Sequence, residues 1–490
     1  MPTSVPARTD AEGYHTSPLN LGSVASIAAS VILCAYLGMV SDLAWLLMCA
    51  GALAVLLLPW ARSISLIFFA LLSGLCGILD YYPISLGQFN AYASDFVIVI
   101  LGWAMIHFWY AKMNGQSPAQ GKSEITLGRI WIVWTLLGLL FVVYGYSIVG
   151  SRFDRVFGDF RRATVYSAAF FIPLLFPYSK QHDKGILWAT VAGGMIIVLI
   201  GYFRLANGIA ARIDENFETG HFALRLMNMA ETMGLVSLIA FLTIKFRDSS
   251  GIFRRTVAAI GIIITSVLLV LSGFRLAMGF VVLVPLLTLA FQSWAQRQKV
   301  LRFALVLMLI GAALLPFALV MPTLMPDQFE KVALDLRLRL VNENIQGGFR
   351  WWTYERAIKS FAESPIIGHG YGYYLVVAMR NQIGLFDFVE MNNPHNMFLW
   401  VLYQTGIVGF IPFTAFHLLF GWHAMRALRT LDPKYVSLYV VFLVTYACYM
   451  AYMCFQPFVA SQYILMYFIM GLLLRLARPA PDNANSTSEL

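Results

Sequence analysis

The chain is short of charge. Only 12% of its 490 residues are Asp, Glu, Lys or Arg, against 59% hydrophobic, and mean hydropathy is +0.72. Soluble domains carry about 25% charged residues, so a water-soluble globular enzyme is excluded and a polytopic membrane protein is implied. Cysteine is scarce as well. All five (Cys34, Cys49, Cys76, Cys448, Cys454) fall inside apolar runs, which excludes a disulfide framework in the loops and leaves core packing. No His-x-x-x-His, Asp-x-Asp or Cys-x-x-Cys pair stands in the segments read as outer-facing, so no metal site is signalled. Residues 1–19 have no basic-then-apolar pattern of a cleaved signal peptide, and the first span is expected to act as its own insertion signal. The net charge of +9 does not argue for nucleic acid, because its distribution follows membrane topology.

What is present is apolar length. Windows of ~20 residues give fourteen candidate spans, starting near Leu21, Leu43, Ser65, Ala93, Ile130, Ala163, Ile186, Thr232, Val257, Leu276, Ala304, Met397, Val436 and Gln462. The second and third are tight and the sixth is short, so the range is 12–14. The expected fold is an all-α polytopic membrane protein of about 14 transmembrane helices with one large outer-face loop. In chain order, a disordered cytoplasmic tail (1–19) precedes helices 1–11 (20–320). The loop follows (321–394), then helices 12–14 (395–478) and a second cytoplasmic tail (479–490).

Orientation follows from the basic residues. With the N-terminus inside, alternate loops carry Lys112, Lys122 and Arg129, then Lys180 and Lys184, then Lys245, Arg247, Arg254 and Arg255. Arg297, Lys299 and Arg302, then Arg426, Arg429 and Lys434, then Arg475 and Arg478 continue the series. This positive-inside pattern puts both termini in the cytoplasm. The other side holds 13 arginines and two lysines, Lys331 and Lys359. Arginine's planar fork suits phosphate and carboxylate. Acids on the same side, such as Asp154, Asp159, Glu231 and Glu355, are expected to pair with many of these cations, and the rest point to an anionic ligand.

Three places stand out. Arg275 lies in Leu271-Ser272-Gly273-Phe274-Arg275, a turn between two apolar spans, where a cation is costly unless paired or facing a polar cavity. Arg225 precedes Met227-Asn228 at the entrance to the eighth span, and Arg161 and Arg162 enter the sixth after Gly158-Asp159-Phe160. Interfacial snorkelling accounts for that last pair as well as ligand contact does. The outer segment then carries a helical stretch with Arg350-Trp351-Trp352, a Pro365…Gly368-His369-Gly370-Tyr371-Gly372 turn, and Asn393-Pro394-His395-Asn396 at the start of a new apolar run. The glycine run is not a nucleotide fingerprint, for no strand precedes it and no α/β unit surrounds it. Its aromatic neighbours suit either sugar stacking or interface packing.

His395, Asn396, nine residues, then Gly406-x-x-Gly409 resembles the signature of the O-antigen ligase and O-antigen (exopolysaccharide) polymerase family. The Ser-x-x-Arg turn at Arg275, Arg225 followed by Asn, and the helix with Arg350 before a Pro-x-x-Gly-x-Gly turn resemble further motifs of that family. Phe410 stands where its ligases commonly carry Gly, Thr or Tyr, which leaves ligase and polymerase both open. The resemblance implies a bacterial inner-membrane glycosyltransferase of C-type fold whose site faces the periplasm. It would transfer a glycan from an undecaprenyl-pyrophosphate-linked donor to a lipid A core or growing glycan acceptor, with a protein hydroxyl, as in an oligosaccharyltransferase, also left open. It implies His395 as catalytic base, kept neutral by the positive helix end and nearby arginines. Arg275, Arg225, Arg161 and Arg162 would bind the pyrophosphate, with Asn396, Arg350, Gly406 and Gly409 in support. No metal and no cofactor enter, membrane lipids are the surroundings, and nucleic acid is not a partner. A transporter or flippase for a polyanionic lipid is the rival from another class.

Overall fold

The computed structural model describes residues 121–293 and 343–478 with brief gaps, and short pieces between residues 84 and 113. All belong to one unit, Leu66–Leu490. The spans expected from Leu21, Leu43, Ser65 and Ala304, both tails, and the first part of the outer loop lie outside the described residues. The span expected from Ala93 is described only in fragments.

The rest is helical. Helix α1 is Lys122–Ser147, α2 is Phe153–Phe160, α3 is Phe171–Leu175 and α4 is Lys180–Asn207. Then come α5 (Met229–Asp248), α6 (Ile252–Leu271), α7 (Arg275–Ser293), α8 (Glu343–Glu363), α9 (Met397–Ala427), α10 (Pro433–Phe455) and α11 (Ala460–Leu476). Three small antiparallel hairpins accompany them: β1–β2 (Ile84–Leu86, Phe89–Ala91), β3–β4 (Arg212–Glu215, Phe222–Arg225) and β5–β6 (Leu375–Arg380, Phe386–Met391). Among the described residues, five helices are long and apolar enough to cross a membrane (α1, α4, α6, α9 and α10), and α7 and α11 contain shorter apolar helices. The protein is thus a polytopic, mainly α-helical membrane protein. The expected large loop contributes α8 and the β5–β6 hairpin among its described residues.

Within the described residues, the helices form where the apolar runs predict, with one exception. The sixth expected span is not a regular helix: Arg161–Val165 winds as a π-helix, Tyr166–Phe170 as a 3-10 helix, and only then does α3 begin. The segment packs against α11. Gly471 makes that approach possible, since a Cβ there would collide with the Phe170 carbonyl oxygen and crowd Pro173. Small residues at helix contacts are the membrane solution when lipid is as apolar as the helices themselves.

Helix α5 packs against α4, α6, α7 and α10. Hydroxyl pairs bind it to α10: Ser237 with Thr445 at 3.0 Å and Thr232 with Tyr452 at 3.1 Å. On the outward faces, Leu136, Leu140 and Val143 of α1, Leu199 and Phe203 of α4, and Leu418 and Trp422 of α9 stay exposed. That apolar surface is what lipid would cover.

Short turns link α5 to α6 and α9 to α10, and near the end of α4 Arg204 bonds the Leu226 carbonyl and Glu231 at the start of α5. Asn396 Nδ2 donates to the Cys454 carbonyl at 3.1 Å, and the Tyr463 hydroxyl donates to Met397 Sδ at 3.0 Å, so these termini meet. At the opposite end, Arg478 forks onto Glu124 at 2.6 and 2.7 Å. Chain start and chain end of the described bundle are clasped there, and Glu124 also suits the positive N-terminus of α1. Gly471→Ala is expected to destabilise the bundle by roughly 1–3 kcal/mol through overpacking, read as a lower melting temperature in detergent.

Candidate functional site

The site is built on a break in α9. Gly406 has φ 60° and ψ −166° inside an otherwise helical run, a conformation open to glycine and costly for other residues. The break divides α9 into residues 397–405 and 407–427 and strands backbone groups on both sides of it. The glycine turn fills them. His369 N–H donates to the Tyr403 carbonyl at 3.1 Å and Gly370 N–H to the Gln404 carbonyl at 2.7 Å. In return, Ile407 N–H donates to Pro365 at 2.9 Å and Val408 N–H to Ile366 at 3.1 Å. Side chains cannot be accommodated at this contact: a Cβ on Gly368 would collide with the Gln404 backbone, and one on Gly406 with the Ile366 carbonyl. Gly409 makes room beside Thr405 and Phe141 of α1.

The half-helix before the break explains the spacing of the motif. Nine residues at 1.5 Å rise span about 14 Å. Asn396 caps its start, with Oδ1 accepting from Leu399 N–H at 3.0 Å, a bond that satisfies one orphan donor of the first turn. The same side chain reaches α10 through Cys454. His395 precedes it, half-buried, with φ 58°, and is the one non-glycine residue at positive φ among the described residues. Such a conformation costs of order 1–3 kcal/mol and persists where neighbours over-determine it. Here the cap lies on one side. On the other, Pro394 accepts from Thr353 Oγ1 of α8 at 3.5 Å.

Asp159 sits behind this junction. Its side chain is 1% exposed, and Oδ2 accepts from Gly372 N–H at 3.0 Å and from Gln404 Nε2 at 2.8 Å. Its Oδ1 lies 3.8 Å from Arg162 Nη1. Burial pushes the carboxyl up to about 6, against the pull of Arg162, Gln404, Gly372 and Arg155. Tyr371 is wholly buried between Phe141, Phe160 and Trp400, and burial raises its phenol well above 10. Tyr373 stacks on His369, and Tyr374 lies under Arg155. The tyrosines of the turn thus pack the junction, while the Trp351 and Trp352 side chains lie outside the described residues.

The arginines resolve unequally. Arg161 pairs with Asp95 at 2.9 Å, and Tyr166 donates to the other oxygen of that carboxylate. Arg162 is 37% exposed beside Asp159. Arg155 pairs with Glu390 of β6, Arg204 with the buried Glu231, Arg152 with Asp154, and Arg356 with Glu363. These are the acid pairings expected for many of the outer arginines. Arg225 ends β4 in register with Arg212, Arg275 is the first residue of α7, and Arg350 lies on α8. The side chains of those three lie outside the described residues. Among the described residues no three His, Cys, Asp or Glu side chains group as metal ligands would.

The sequence reading left Asp159 and Gln404 out of the site. Their signals were an acid beside two arginines and a lone amide in an apolar run two residues before Gly406.

A multi-pass helical bundle with a His-Asn pair heading a broken helix defines the class: a membrane protein with a polar site at one end of its helices. Residues 260–414 match the family model described as O-antigen ligase, so this stretch is similar to the O-antigen ligase/polymerase family, whose members are enzymes of glycan assembly. The match contains Arg275, Arg350, the glycine turn, His395, Asn396, Gly406 and Gly409, while Asp159, Arg161, Arg162 and Arg225 precede it. No curated protein matches the chain.

Because the folded-state carboxyl of Asp159 titrates near 6, against 3.8 ordinarily, its contribution to stability is full below pH 4 and is lost as pH rises through 6. Asp159→Asn is therefore expected to melt like the wild type at pH 4 and above it at pH 8, by up to about 3 kcal/mol. Melting curves at both pH values check this.

Proposed function

We propose that the protein is a glycosyltransferase that moves a glycan from an undecaprenyl-pyrophosphate donor onto an acceptor hydroxyl, in lipopolysaccharide or surface polysaccharide biosynthesis. The observation that carries the reading is His395 in a strained, doubly anchored conformation at the head of the motif half-helix. Strain of this kind gathers at functional sites, where surrounding structure holds a group in the geometry its task requires. In this reading His395 removes the proton from the acceptor hydroxyl as its oxygen attacks the anomeric carbon. The bond from that carbon to the pyrophosphate breaks on the opposite side, so the anomeric centre inverts. The leaving group departs with its negative charge increased. Arg225, Arg275, Arg162 and Arg161 are the candidates to bind that charge, and Arg161 is braced by Asp95. Each well-placed donor of this kind is worth ~3–4 kcal/mol to the transition state.

The positive-inside pattern supports an inner-membrane protein with this end of the bundle on the periplasmic side and both termini cytoplasmic. On that side the pyrophosphate carried by the donor must itself be the leaving group, and the step as drawn uses neither metal nor cofactor. A lipid A core sugar is the acceptor we favour, with a second lipid-linked repeat the alternative.

The broken helix bears on the rival reading, since discontinuous spans mark ion and substrate sites in transporters. In those proteins the unwound backbone lines a cavity. Here the break in α9 is plugged by backbone from residues 365–370, which favours a rigid site over a moving gate.

The test is release of lipid pyrophosphate by purified protein in nanodiscs, with each acceptor in turn and with EDTA throughout. His395→Ala is expected to lower acceptor-dependent release by 10²-fold or more, the usual range for loss of a general base. Near-normal release would remove His395 as base, and sensitivity to EDTA would remove the metal-free step. Donor binding without release for any acceptor would favour the transporter.

A further inference from the structure

We propose that Asp159 is a positioning residue for the transfer reaction: its Oδ1 orients the Arg162 guanidinium, while its Oδ2 fastens the glycine turn to the broken motif helix. The proposal rests on Arg162 acting as a pyrophosphate ligand. The two oxygens divide the work cleanly. Both neutral donors, Gly372 N–H at 3.0 Å and Gln404 Nε2 at 2.8 Å, converge on Oδ2. The charged neighbour, Arg162 Nη1, lies 3.8 Å from Oδ1. The carboxylate is buried and the guanidinium is 37% exposed, so Asp159 stands behind an arginine that a ligand can reach.

The remaining charged or titratable groups facing Asp159 are Arg155 beside it, Tyr371 of the turn, Tyr403 of α9 and Tyr463 of α11. Tyr463 lies within electrostatic reach of Arg162 and donates to Met397, two residues beyond His395.

Stability alone does not account for a carboxylate here. An asparagine carbonyl in the place of Oδ2 would accept both neutral donors without any buried charge, and burial works against ionisation of Asp159. What the charge serves beyond those two bonds is Arg162.

The experiment is a double-mutant cycle of Asp159→Asn, Arg162→Ala and the pair, in nanodiscs, reading kcat and donor KM for lipid pyrophosphate release together with melting temperature at pH 7.5. Asp159→Asn is expected to fold at least as stably as the wild type yet to lose about 10- to 100-fold in kcat, as a displaced charge-stabilising group does. The double variant is expected to be no slower than Arg162→Ala alone. Additive losses, or a wild-type kcat in Asp159→Asn, overturn the proposal. If the wild type releases nothing with any acceptor, transfer itself fails and the cycle is read on binding of undecaprenyl pyrophosphate. Weakening by Asp159→Asn that vanishes in the Arg162→Ala background then upholds the coupling, and additive or absent weakening overturns it.

Discussion

Everything at the motif end depends on one constraint: backbone groups freed inside a membrane protein must find partners. A helix that breaks in low-dielectric surroundings leaves N–H and C=O groups that water does not rescue, each costing several kcal/mol. The protein meets this with a second stretch of backbone, four reciprocal hydrogen bonds between residues 365–370 and the two sides of Gly406. The solution forces the rest. Backbone can enter a helix break only where no Cβ stands in the way, hence Gly368 and Gly406 at their mutual contact. Gly370 and Gly372 extend the same turn onto α1 and α2, lying against Gly145 and Val156. One short turn thereby sets α1, α2, α8 and α9 relative to each other.

Electrostatics is arranged in two ways within the same end. Arg155–Glu390 and Arg204–Glu231 are ion pairs that hold elements together, the first partly exposed and the second mostly buried. A buried pair is weak evidence for stability, since desolvation offsets much of its attraction. Asp159 differs in kind. Its neutral hydrogen bonds are architectural, its nearest cation is the half-exposed Arg162, and its carboxyl is held up near 6. A group that opposes stability at neutral pH and still touches an accessible cation belongs with the devices that proteins keep for activity.

Much of this was legible in the sequence, for physical reasons that also mark where legibility ended. Low charge and apolar length announced a polytopic helical protein, and the expected starts near Thr232, Leu276 and Val436 fall within the first turn of α5, α7 and α10, while the one near Ile130 falls two turns into α1. The segment from Ala163 misled because hydropathy reports burial and is blind to winding: π and 3-10 turns bury apolar side chains as well as an α-helix does. The glycine turn was visible as a motif, and so was the following His-Asn. Their docking was not, because it is made by backbone atoms that every residue shares. Arg161 read as a ligand candidate, and its partner Asp95 lies in another segment of the chain, a pairing that no local pattern encodes.

The signature therefore mixes two kinds of requirement. Gly406 and Gly409 answer to close approach, and Asn396 answers to a helix end and to Cys454. The nine intervening residues measure the half-helix that separates the cap from the break. Remove any of these and His395 would still be present but loosely held. Its positive φ is flanked by the cap that follows it and by the bond from Thr353 of α8 to the preceding Pro394. The glycine contacts at the break, one half-helix away from His395, thus help to fix where its backbone lies.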